Sequence, residues 1–119
     1  MTSTAGHRAP AGPRPRPSEQ ISDAAQRLTA RTAAPGGQTP YHRGALDAYL
    51  WALGLRHRPP VTGAPVTGKH APDRAALDHE REAADLQLAH PLLCTHVQHY
   101  ARGVRDALTW ATARSSTRP

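Results

Sequence analysis

The sequence has no phenylalanine and a single isoleucine in 119 residues. With eleven leucines and four valines, large aliphatic and phenyl side chains make up about 13% of the chain, below the ~20% at which a sequence begins to resemble a disordered one. The 38% apolar content is carried largely by alanine, which adds little transfer free energy per residue. A length of 119 residues suits one small domain, and a large multi-domain enzyme is not expected. There is one cysteine, Cys94, so no intrachain disulfide forms, which fits a reducing compartment. The longest nearly apolar run, Ala48 to Leu53, is six residues, against the ~18 a membrane helix needs. Met1 to Ser18 has no apolar h-region, so neither a secretory signal nor a membrane partner is expected, and the expected location is the cytoplasm.

Lysine is nearly absent too: Lys69 stands alone beside 14 arginines. GC-rich codons produce that skew without any binding role. The net charge of +6 is unevenly placed. Residues 73–90 are net acidic, and the stretches on either side are net basic. Charge complementarity within the fold accounts for this pattern as well as a nucleic-acid footprint does.

What is there suggests helices. Residues 1–17 are Pro/Arg-rich, with strict alternation over 13–17, and are expected to form a disordered or polyproline-II-like arm. Residues 18–40 are expected to hold a weak helix over 19–32, capped by Ser18 and carrying Ile21, Ala24, Ala25 and Leu28, and then a linker. A helical domain is expected over 41–114, with a disordered tail over 115–119. Within the domain, nine of the eleven residues Ala45 to Leu55 are apolar, as in a central buried helix. Pro-Val-Thr-Gly then occurs twice, at 60–63 and 65–68, as two turns. A second helix should open at Pro72 or Asp73 and run to about Ala89, and a third should open at Pro91. The third carries an apolar face of Leu93, Val97, Tyr100, Val104, Leu108 and Ala111. The expected fold is all-α: a small three- or four-helix domain with a pseudo-repeated helix pair and a disordered N-terminal arm.

The repeat carries the strongest signal. At an offset of 59 residues the pattern Tyr-x-Arg-Gly-x-x-Asp-Ala-x-x-Trp-Ala occurs twice, from Tyr41 and from Tyr100, and uses both tryptophans. Gly44, Ala48 and Ala52, like Gly103, Ala107 and Ala111, fall at i, i+4 and i+8, a stripe along which another backbone can approach. Glycine inside a helix costs ~1 kcal/mol against alanine, so two at matched positions imply close packing. The helix-packing candidates are Tyr41, Gly44, Ala48 and Trp51, with Tyr100, Gly103, Ala107 and Trp110. Arg43–Asp47 and Arg102–Asp106 have the spacing of i, i+4 ion pairs. Two equivalent helices crossing near Gly44 and Gly103, with the acidic helix against their basic flanks, is the simplest architecture. The small-residue stripes could also mediate dimerisation.

Chemistry-bearing clusters are sparse. Cys94, His96 and His99 resemble a metal set, but on a helix the thiol is turned ~200° from His96, and paired short ligand spacings are missing. A Cys94 nucleophile would have no oxyanion motif, and Asp47 with Asp106 could form a carboxylate pair only if the repeat joined them. Gly63 to Lys69 lacks phosphate-loop spacing. No catalytic residue, metal or cofactor is expected. The sequence favours a small non-catalytic module that binds a protein partner or itself as a homodimer. The alternative is a nucleic-acid accessory protein using Arg8, Arg14 and Arg16 of the arm.

Overall fold

The computed structural model describes residues 15–63, 71–90, 92–116 and 118–119. Among them are four α-helices and no strand: α1 (Ser18–Ala33), α2 (Pro40–Ala52), α3 (Arg74–Leu88) and α4 (Thr95–Ala111). The fold is all-helical. Most of the expected arm, with Arg8 and Arg14, lies outside the described residues, as does the second Pro-Val-Thr-Gly copy.

Helix α1 buries Ile21, Ala24, Ala25 and Leu28, which join the common apolar core and place α1 on α2. Its expected cap is displaced by one residue. Ser18 is already helical, and Pro17 holds the N-cap position with no side-chain bond. The proline is extended, and its carbonyl accepts from the backbone N–H groups of Gln20 and Ile21.

Helix α2 begins one residue earlier than expected. Thr39 caps it by accepting from the backbone N–H of His42 at 3.1 Å, with Pro40 at the first helical position, where a missing N–H costs nothing. It ends at Ala52 with Leu53 as C-cap, and the next residue, Gly54, has a left-handed φ of 79°. The Gly54 N–H donates to the Trp51 carbonyl and the Leu55 N–H to the Leu50 carbonyl, both at 2.9 Å. These two bonds close a Schellman turn and satisfy the last carbonyls of the helix.

Asp73 caps α3, accepting from the Ala76 N–H at 2.8 Å. The third expected helix starts later than Pro91: α4 opens at Thr95, and Cys94 is its extended N-cap. The preceding residues turn instead, with the Leu92 N–H donating to His90 Nδ1 and the Leu93 N–H to the His90 carbonyl. Leu93 thus precedes the helical face it was expected to join. In space the helices lie in the order α1, α2, α4, α3. Pairings of Tyr41 with Asp106 and of Tyr100 with Asp47 make α2 and α4 antiparallel. Acidic α3 sits against α4, where Asp78 takes a two-pronged bond from Arg114 and Asp85 lies 3.9 Å from Arg105.

Candidate functional site

The centre of the molecule is the α2–α4 crossing. Gly44, Ala48, Gly103 and Ala107 are buried there. A β-carbon on Gly44 would overlap the Tyr100 carbonyl oxygen and lie 3.0 Å from its carbon. One on Gly103 would overlap the Tyr41 carbonyl oxygen and lie 2.9 Å from that carbon. Each glycine therefore faces the backbone at the first residue of the other twelve-residue segment. With Ala48 and Ala107 fully buried in the core, the small-residue stripes are used inside the chain and offer no dimer surface.

The same reciprocity governs the polar groups. Tyr41 Oη donates to Asp106 Oδ2 at 2.7 Å, and Tyr100 Oη donates to Asp47 Oδ2 at 2.6 Å. The aspartates thus bond across the helix pair instead of to Arg43 and Arg102. Their remaining cationic neighbours are Arg56 for Asp47 (3.7 Å) and Arg105 for Asp106 (3.0 Å). A tyrosine donor spans two helices, whereas an i, i+4 pair ties only one helix to itself. The two carboxylates line different clefts and form no acid–base pair. Burial first, and then the bonds to the aspartates, push both tyrosines well above the ordinary 10.0, so each remains a neutral donor.

Trp51 and Trp110 are both buried. Trp110 meets Tyr49 edge-on at 5.8 Å, with the Arg16 guanidinium 4.5 Å from its ring centre. Arg16 also donates its backbone N–H to the Ala111 carbonyl (2.7 Å), Nε to the Trp110 carbonyl (2.7 Å) and Nη2 to the Ser115 carbonyl (2.9 Å). Cation and donors together complement the negative end of α4. The last residues of the expected arm are docked, and the Arg16 donors offered there to phosphate are turned inward.

Cys94, His96 and His99 are exposed at the start of α4. Among the described residues, no group of three or more His, Cys, Asp or Glu is gathered to hold a metal. No described helix is long and apolar enough to cross a membrane.

Two features escaped the sequence. Glu80 is 1% exposed, and its carboxylate accepts from the Val61 N–H, the Thr62 N–H (2.9 Å) and Thr62 Oγ1 (2.8 Å). An acidic residue on an acidic helix resembles a solvated one. The available signal was its place three residues after Leu77 and four before Ala84, on the same helix face as those two apolar residues. The second is a cleft beside Tyr100, of about 500 Å³, walled by Asp47 and by the loop from Arg56 to Pro60. The chain matches no known protein-family model, no curated protein and no solved structure.

Proposed function

We propose that this is a small non-catalytic helical module that binds a protein partner or a second copy of itself, using the turn between α3 and α4. The observation that carries this reading is the exposure of Leu86 (75%), in the last turn of α3, and Leu92 (85%), within the turn itself. Large aliphatic side chains are scarce in this chain, and covering each would return roughly 25 cal/mol per Å² of apolar surface. The small-residue stripes have no share in this surface.

On the same reading, α2 and α4 are two copies of one packing unit. Supporting it are the reciprocal glycine contacts, the reciprocal Tyr–Asp bonds and a shared turn geometry. Gly54 and Ala113 are 59 residues apart, both have positive φ, and each closes the same pair of backbone bonds. The pair supplies a rigid base, while α3 and its turn carry the recognition surface.

Sedimentation velocity over a range of concentrations, beside affinity capture from lysate, tests the proposal with wild type and a Leu86→Asp/Leu92→Asp variant. Wild type should self-associate or retain a defined protein, and the variant should do neither while keeping its helical circular dichroism. A monomer at every concentration, together with capture that the variant does not alter, would sink the reading.

A further inference from the structure

The cleft beside Tyr100 differs from the rest of the crossing in its charge. Arg56, His57 and Arg58 line it together with Asp47, its one carboxylate among the described residues. A smaller hollow of about 240 Å³ shares Asp47 and Arg56 and adds Arg43. Asp47 already accepts the Tyr100 hydroxyl, and Arg56 is the guanidinium within ion-pair distance of it.

The obvious structural task for Arg56 and Arg58 would be to cap α2. The Schellman bonds from Gly54 and Leu55 already fill that role. Arg58 Nη1 instead donates to the Gly63 carbonyl at 3.0 Å, a neutral partner that leaves its charge unmatched. Arg56 approaches Asp47 only to 3.7 Å, with over half of its side chain exposed. Their loop is nevertheless held in place, because buried Glu80 takes the backbone N–H groups of Val61 and Thr62.

The opposite end of the crossing serves as an internal comparison. There Tyr41 and Asp106 line a cleft of about 280 Å³ with Ser115, Arg118 and Pro119. It has the same Tyr–Asp bond and the same turn after the helix. The 59-residue offset carries Arg56 to Ser115 and His57 to Ser116, and Arg118 lies 3.7 Å from Asp23. The shared frame is therefore built without the Arg-His-Arg run; at that end Arg105, on α4 itself, is the cation beside the aspartate.

We propose that the cleft between the Arg56–Pro60 loop and Tyr100 binds a small phosphorylated molecule, its phosphate held by Arg56 and Arg58 with His57 beside them. Guanidinium forks match phosphate oxygens in pairs, and Arg56 and Arg58 against the single carboxylate of Asp47 leave the cleft cationic. The 500 Å³ volume leaves room for a small organic group beyond the phosphate. This site is independent of the Leu86–Leu92 surface.

The test is a titration of the full chain with inorganic phosphate, pyrophosphate and acetate at matched ionic strength, followed by amide chemical shifts. Phosphate and pyrophosphate should saturate, pyrophosphate more tightly, with shifts concentrated on residues 56–63 and Tyr100, and acetate should do neither. Arg56→Ala should weaken pyrophosphate about ten-fold, equivalent to ~1.4 kcal/mol. Arg56→Ala/Arg58→Ala should abolish saturation, with circular dichroism confirming the fold, and Arg27→Ala on exposed α1 should bind as wild type. Non-saturating shifts, equal weakening by Arg27→Ala, or tight binding of a duplex oligonucleotide without small-anion saturation would each overturn the proposal.

Discussion

Ala113 is the one non-glycine among the described residues with positive φ, at 62°. A β-carbon in the left-handed region crowds the following carbonyl and costs roughly 1–2 kcal/mol. Gly54 occupies the same place in the turn after α2 without that cost. Ala113→Gly should therefore stabilise the protein by about 1 kcal/mol, read as a higher urea midpoint. Gly54→Ala should destabilise by a similar amount, and a β-carbon there would also lie 3.3 Å from the Ala71 backbone. At the crossing glycine is again favoured, but for a different reason. Gly44 and Gly103 have ordinary helical φ, so alanine would gain up to ~1 kcal/mol of helix propensity. Its methyl, however, would overlap a backbone carbonyl that cannot swing aside as a side chain can. Gly44→Ala and Gly103→Ala should each lower stability, by about 1–3 kcal/mol net, while Gln98→Ala on α4 should be harmless. Two Gly→Ala variants melting above wild type would contradict the close approach.

At the scale of elements, single side chains fasten one segment to another. Arg16 ties the start of α1 to the end of α4 through three carbonyl contacts and the Trp110 ring. Glu80 ties the 59–63 turn to α3. Removing the Glu80 carboxylate would leave two backbone N–H groups and a hydroxyl without their acceptor, at roughly 1–3 kcal/mol for each buried donor that water cannot reach. Glu80→Ala should consequently cost about 2–4 kcal/mol in chemical denaturation, more than Glu82→Ala on the exposed side of α3. The elements themselves were legible wherever a local rule decided them. Apolar periodicity placed α1 and α4, a nearly continuous apolar run placed α2 with Gly54 marking its end, and the start signal at Asp73 placed α3. Matched glycines in a repeat pointed to the crossing, because only close packing excuses their propensity cost. Legibility failed where a distant partner decided the outcome. Spacing alone favours Asp47 with Arg43, yet Asp47 bonds Tyr100 on another helix. Residues 91–94 look like a helix start from Pro91, but His90 draws the Leu92 and Leu93 N–H groups into a turn. Ala113 carries no sign of a left-handed turn in its own identity. Only its 59-residue offset from Gly54 does.

Over the whole molecule, the uneven charge of the sequence is resolved by the packing of α3 on α4. Asp78 is the centre of that contact, meeting Arg74 on its own helix, Arg114 beyond the end of α4, and Arg81 at 3.7 Å. Burial alone would raise the carboxyl, but the hydrogen bond and charge of Arg114, with Arg74 beside it, outweigh burial and hold it below the ordinary 3.8. A carboxyl depressed in the folded state contributes stability that is present above its unfolded value and is lost as pH falls through the folded one. Arg114 is exposed to solvent, so salt should screen part of the effect. Asp78→Asn keeps the shape of the side chain and removes its charge. It should lower the urea midpoint near neutral pH, and the gap to wild type should narrow with added salt. As pH drops below 3.8 the wild-type carboxyl takes up a proton and the two proteins should converge. A gap that persists unchanged into acid would mean that Asp78 acts by shape or neutral hydrogen bonding, and that charge does not hold α3 against α4.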